Sequence, residues 1–241
     1  MPDALSPRID IDSPDAMTLD AMTMDAAAQA AAGFRFALEH SRQQEWPFRH
    51  WLLTDALPPA VAAALADLPV EAPVLGDTAG RRETHNASRL FLSPAVQAEH
   101  GVAAAVAAAF QEAETVRLLE SRCRTRLSGS YLRIEYCRDQ AGFWLEPHTD
   151  IGAKRFTLLI YLSREVGAAD WGTDIYADPA AAPVARAPAG FNRGLIFIPG
   201  TDTWHGFEPR PIHGIRRTLI VNYVVPDWRS RHELAFPGQV V

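Results

Sequence analysis

The sequence is poor in lysine, in cysteine and in long apolar runs. Lys154 is its only lysine, and acidic residues outnumber basic ones, 29 to 23, for a formal net charge of −6. That balance argues against nucleic acid and anionic membranes as default partners, because both select basic surfaces. Two cysteines, Cys123 and Cys137, are too few for a disulfide framework and lack the spacing of a zinc ribbon. Two reduced, buried thiols are expected. No stretch approaches the roughly 20 apolar residues of a membrane-spanning helix. The acidic N-terminal stretch lacks the charged-then-apolar order of a secretory signal, so a cytoplasmic location is the expectation. No internal repeat is present.

What remains is ordinary for a globular protein, 48% hydrophobic and 22% charged. With about 150 residues per domain as a prior, the chain accommodates one structural domain with extensions. Residues 1–30, rich in Met, Asp, Ala, Thr and Pro, read as a disordered leader whose sparse large apolar side chains do not offset the entropy of ordering. Within and beyond it, the Ala-rich run from Asp20 to His40 can become helical when docked. Residues 31–127 read as a helical support region with a first strand. Trp46 to Leu53 forms that strand, with His50 as a structural residue among aromatics. Pro58-Pro59 opens a helix whose Val61, Leu65 and Leu68 share a face. Gly76 to Ser88 is a polar loop, Ser93-Pro94 opens a second helix, and a longer helix runs from Val102 to Glu120.

From Ser128 the hydrophobic period changes to two. Leu132, Ile134 and Tyr136 alternate with Arg133 and Glu135. Phe156 to Leu162, Trp171 to Ala177, Leu195 to Ile198 and Thr218 to Val225 are further strands, and Ala177 to Ala189 is an exposed loop. Residues 128–228 form the strand-rich core and 229–241 a C-terminal tail. The expected class is α+β, mostly β: a sandwich or barrel of short strands buttressed by N-terminal helices.

The chemistry concentrates at Glu146-Pro147-His148-Thr149-Asp150. On an extended strand His148 and Asp150 point to the same face. Trp204-His205-Gly206 supplies a second imidazole after the strand ending at Pro199, and Arg216 opens the last strand. A lone His-x-Asp is weak evidence; four features in this order carry more. Two imidazoles and one carboxylate are a donor set suited to Fe(II). Three ligands on one face leave three positions open, two for a chelating 2-oxo acid and one for dioxygen. If the 2-oxo acid has a second carboxylate, it needs a buried cation, for which the planar fork of Arg is suited.

This order, spacing and final Arg resemble the 2-oxoglutarate- and Fe(II)-dependent oxygenases, especially their prolyl-hydroxylase-like branch, over Ser128 to Pro226. The resemblance implies a double-stranded β-helix, or jelly roll, with His148, Asp150 and His205 as catalytic iron ligands. It puts Arg216 on the distal carboxylate of 2-oxoglutarate, with Arg217 as the competing choice, and Thr218 inward beside Arg216. The same parity makes Asn222 either a substrate contact or a structural hydrogen bond. Tyr161 is expected beside Arg216, Tyr136 near the metal-bound end of the cosubstrate, and Thr157 is a weaker contact. Lys154 stands at the mouth, either to meet an acidic substrate group or as a surface lysine. Trp204 joins Phe143, Trp144 and Trp171 as possible walls of a substrate cavity. His85, His213 and His232 have no ligand context.

The implied reaction is dioxygen-dependent hydroxylation coupled to conversion of 2-oxoglutarate to succinate and CO2, with ascorbate in support. Asp150 disfavours halogenation, because related halogenases replace that carboxylate. Trp171-Gly172-Thr173-Asp174 lacks the Gly-Gly-acidic pattern of peptidyl-prolyl hydroxylases, so a small-molecule substrate is favoured: an amino acid, a sugar or a natural-product intermediate. A prolyl or other protein-side-chain hydroxylase is one alternative. A non-catalytic 2-oxoglutarate- or metal-binding jelly-roll module is another. The sequence specifies no oligomeric state.

Overall fold

Alternating strands build two antiparallel sheets that face one another. The computed structural model describes residues 14–72, 80–81 and 89–241. The larger sheet contains β1 (Arg42–Gln44), β2 (His50–Leu53), β3 (Leu90–Phe91), β4 (Tyr131–Asp139), β6 (Lys154–Tyr161), β9 (Arg193–Phe197) and β11 (Arg216–Val224), in the spatial order β1-β2-β9-β6-β11-β4-β3. The smaller sheet contains β5 (Leu145–His148), β7 (Asp174–Ile175), β8 (Ala185–Arg186) and β10 (His205–Phe207), in the order β5-β10-β7-β8. This is the mostly-β arrangement expected from the period-two pattern.

Strand parity divides the interior into two layers. Leu132, Ile134 and Tyr136 of β4, Leu158 and Ile160 of β6, and Leu219, Val221 and Tyr223 of β11 pack against the helices. Leu159, Tyr161, Leu195 and Phe197 point the other way and meet Ile175 of the smaller sheet. The helices α1 (Pro14–Glu39), α2 (Pro59–Ala66), α3 (Pro94–Glu99), α4 (Gly101–Gln111) and α5 (Ala113–Cys123) buttress the larger sheet. No described helix is long and apolar enough to cross a membrane.

Several expectations need correction. The stretch read as a leader is helical from Pro14. The Ala-rich composition favours helix, and Ala30, Ala31, Phe34, Ala37 and Leu38 bury one stripe, with the Phe34 ring 4.6 Å from that of Phe110. Residues 1–13 lie outside the described residues, as does the loop expected over 76–88 apart from Gly80 and Arg81. The single helix expected over 102–120 is two, α4 and α5, because Glu112 adopts an extended backbone between them. The first strand expected over 46–53 is shorter and begins at His50, with β1 before it. The loop expected over 177–189 contains β8. The C-terminal stretch 229–241 is docked: Ala235 N–H donates to Leu132 O, and Val241 N–H to Ser130 O.

Candidate active site

β5 and β10 pair antiparallel with His148 directly opposite His205. Their ring centroids are 4.4 Å apart. A Cβ on Gly206 would lie 2.9 Å from Leu145 O, so glycine permits the close approach of these two strands beside the histidines. Each imidazole is oriented by a carbonyl two residues earlier. His148 Nδ1 lies 2.8 Å from Glu146 O, and His205 Nδ1 lies 2.9 Å from Thr203 O. With Nδ1–H donating to those carbonyls, Nε2 of each ring is the lone-pair nitrogen, the one suited to a metal. His205 is buried, and its pKa is pushed down to about 3, first by desolvation and then by the neighbouring His148. It is therefore neutral near pH 7, the form in which imidazole binds metals.

Asp150 follows His148 at the end of β5 and is buried. Its Oδ1 lies 2.6 Å from Lys154 Nζ, and its Oδ2 accepts from Thr157 Oγ1 at 2.7 Å. Asn222 Nδ2 donates to the same Thr157 oxygen at 2.9 Å, and Arg133 Nη1 reaches Asn222 Oδ1 at 3.4 Å. The carboxylate is thus held through a chain of side chains that crosses β6, β11 and β4. As the side chains stand, no three His, Cys, Asp or Glu among the described residues converge on one point closely enough to hold an ion. His148, Asp150 and His205 nevertheless all line one inner cavity of about 50 Å³, and their donor types fit Fe(II).

The same cavity is lined by Arg216, which opens β11 with its side chain inward. Its Nε donates to Trp171 O at 2.8 Å and its Nη1 to Asp139 Oδ2 at 2.6 Å. The guanidinium carbon lies 4.7 Å from the Phe207 ring centroid and 5.5 Å from that of Phe143. Arg217 points to the other face and donates to Glu165 Oε1 at 2.5 Å. Of the two competing arginines, only Arg216 lines the cavity.

Tyr161 is fully buried, and its hydroxyl donates to Thr173 Oγ1 at 2.8 Å. Burial raises its pKa, while Thr173 and the nearby Arg216 act in the opposite direction. It lies close enough to Arg216 to feel its charge. The Thr218 hydroxyl is buried without a hydrogen-bond partner among the described residues. Such a group signals an acceptor or donor still to be met.

Other sequence expectations place differently. Tyr136 does not face His148, Asp150 and His205; it shares parity with Leu132 and Ile134 and packs in the helix-facing layer. Asn222 is wholly buried and bonded to Thr157, Phe156 O and Arg133, so it does not reach a cavity. Trp204 lines neither the inner cavity nor the outer one beside it, because neighbouring residues alternate and His205 takes the inward direction. Lys154 is no solvated surface lysine but is buried against Asp150. Sequence reasoning missed Asp139; Arg89, which pairs with Glu135; and the role of Thr157 in holding Asp150. A cue was available: Arg133, Glu135, Cys137 and Asp139 form the polar parity of β4, opposite its apolar one.

The outer cavity, about 320 Å³, is shared by His148, Thr149, Asp150 and Ile151 with Arg133, Lys154, Trp228 and Glu233. The Arg133 guanidinium stacks over the Trp228 ring, 5.2 Å from its centroid, and donates to Glu233 Oε2 at 2.5 Å.

No protein-family model matches the chain, and no curated protein sequence matches it. Solved structures do. A prolyl 4-hydroxylase from Phytophthora capsici superposes with a TM-score of 0.53 at 14% identity, over 84% of this chain and 66% of that one. A prolyl hydroxylase from Trichoplax adhaerens, in complex with a hypoxia inducible factor oxygen degradation domain peptide fragment, superposes with a TM-score of 0.51 at 12% identity, over 87% of this chain and 94% of that one. The chain therefore shares the fold of these two prolyl hydroxylases.

Proposed function

We propose that the chain is an Fe(II)- and 2-oxoglutarate-dependent dioxygenase that hydroxylates a C–H bond of a small molecule, such as an amino acid, a sugar or a natural-product intermediate. The observation that carries this reading is the direct pairing of His148 with His205, with Asp150 and Arg216 lining the same inner cavity. Iron and cosubstrate, when bound, supply the activation of dioxygen, coupled to conversion of 2-oxoglutarate to succinate and CO2. The chain's own contribution is positional. The carbonyls of Glu146 and Thr203 aim the two imidazoles. Thr157 holds one oxygen of Asp150. Arg216 takes the distal carboxylate of the cosubstrate, with Tyr161 beside it and the unpartnered Thr218 hydroxyl on the same face. Phe143, Leu145, Leu159, Phe207 and Ile220 line the cavity with apolar surface and exclude water.

The outer cavity suits a small substrate. Its size falls at the lower end of ligand sites, which run from about 300 to 1,000 Å³, and Arg133, Lys154 and Glu233 offer charged groups to a polar molecule. A second reading is hydroxylation of a prolyl or other protein side chain, favoured by the fold likeness to a prolyl hydroxylase in complex with a peptide fragment. The two buried, free cysteines accord with the reducing cytoplasm.

The test is an assay with Fe(II), ascorbate and 2-oxoglutarate that measures succinate, against a panel of metabolites and proline-containing peptides. Stimulation by a metabolite supports the first reading and stimulation by a peptide the second. Binding of 2-oxoglutarate with no turnover on any substrate favours a non-catalytic module. Absence of both binding and succinate sinks the oxygenase reading.

A further inference from the structure

We infer that Asp139 sets the cosubstrate selectivity of the site by offsetting the charge of Arg216, so that 2-oxo acids with uncharged tails bind about as well as 2-oxoglutarate. The inference rests on the reading that a 2-oxo acid occupies the inner cavity. Asp139 and Arg216 are direct cross-strand partners on β4 and β11. Both are nearly inaccessible, at 7% and 6% exposure, and they meet at 2.6 Å.

A guanidinium offers five N–H donors in a planar fork. Here Nε is engaged by Trp171 O and Nη1 by Asp139, which leaves Nη2 with no bond to a described residue. An arriving distal carboxylate can still meet that edge, but it does so beside a second buried carboxylate. Like charges in a water-poor site disfavour one another. The other cation lining the inner cavity, Arg89, is likewise matched, by Glu135. Phe143, Leu145, Leu159, Phe207 and Ile220 give the same cavity apolar walls, and the hydroxyls of Thr157 and Thr173 that line it carry no charge. Such walls gain more from an apolar tail than from a charged one.

The test uses the full chain loaded with Mn(II), which holds the metal site without turnover. Dissociation constants are measured for 2-oxoglutarate and for 4-methyl-2-oxopentanoate, whose tail is uncharged. In the wild type the two constants are expected to lie within about tenfold of one another. Asp139→Asn keeps an oxygen for Arg216 Nη1 but removes the charge. It should tighten 2-oxoglutarate by about tenfold or more and change 4-methyl-2-oxopentanoate by less than about twofold. Asp139→Ser, smaller and also neutral, should shift selectivity the same way, and unchanged Mn(II) affinity reports an intact fold in either variant.

If 2-oxoglutarate binds both variants no better than the wild type, Asp139 only positions Arg216 and the inference is overturned. If neither acid binds any of these proteins although all retain Mn(II), the cosubstrate reading itself fails. That outcome differs visibly from loss of the Asp139 effect alone.

Discussion

Lys154, the only lysine of the chain, places its Nζ 2.6 Å from Oδ1 of Asp150, the proposed carboxylate ligand. Both residues are buried. A divalent cation at this site competes with an ammonium for the same oxygen and feels its like charge. Lys154→Met should therefore tighten Mn(II) binding by about threefold or more. It should also destabilise the metal-free protein by about 1–3 kcal/mol, because a buried carboxylate loses a charged partner. Mn(II) titration and urea unfolding in the presence of a chelator measure the two effects. Weaker Mn(II) binding would show instead that Lys154 holds Asp150 in the ligating position.

The two adjacent arginines of β11 give opposite expectations. Arg216 lines the inner cavity, whereas Arg217 bonds Glu165 on the far face. Arg216→Ala should weaken 2-oxoglutarate binding by about a hundredfold, the scale of removing a charged hydrogen-bonding partner from a buried carboxylate site. Arg217→Ala should leave it within about threefold. Equilibrium binding to the Mn(II)-loaded protein checks both, and a reversed ranking would place the cosubstrate on the opposite face of β11.

The gathering of His148, Asp150 and His205 at one cavity was legible because it depends on local rules. His148 closes β5 with Asp150 two residues on, and His205 opens β10, the strand that pairs with β5. The tyrosines divide by strand parity. Tyr136 shares parity with Leu132 and Ile134, the apolar residues that go to the helix layer, so its place in the core followed from β4 alone. The misreading came from the family resemblance, which put Tyr136 near the metal-bound end of the cosubstrate. In this fold the helices take the apolar face of β4, and the charged parity of Arg133, Glu135 and Asp139 looks inward.

Asp139 was not legible in the same way. Its pairing with Arg216 depends on the register between β4 and β11, strands separated by most of the core sequence. Thr157 likewise meets Asp150 only after the turn between β5 and β6 closes. The docking of the C-terminal half of α1 was not legible, because burial of Phe34 and Leu38 depends on partners far along the chain, Phe110 among them.

Substitution of the two tyrosines separates the faces functionally. Tyr161→Phe removes a buried hydroxyl beside Arg216 and frees Thr173 Oγ1. It should weaken 2-oxoglutarate by about fivefold to tenfold, the scale of one neutral hydrogen bond. Tyr136→Phe, in the helix-facing layer, should leave cosubstrate affinity unchanged within about twofold. Isothermal titration of both variants checks this, and an effect at Tyr136 equal to that at Tyr161 would contradict the parity assigned to β4.

Acid should destabilise the metal-free protein through its buried imidazoles. His205 is held at about 3, chiefly by burial and then by His148, and the pKa of His50 is lowered by burial. In the unfolded chain both titrate near the ordinary value of 6.5. Below that pH the unfolded state takes up protons that the folded state refuses. Their contribution to stability is therefore full above about pH 6.5 and is lost as the pH falls toward the folded values, by up to about 1.4 kcal/mol per pH unit for each histidine. Urea midpoints of chelator-treated protein at pH 7.5, 6.5 and 5.5 should fall in that order, and His50→Gln should reduce the slope. Mn(II) should raise the midpoint at each pH, because it binds the folded chain in preference to the unfolded one. Equal midpoints from pH 7.5 to 5.5 would mean that both imidazoles charge freely in the folded chain.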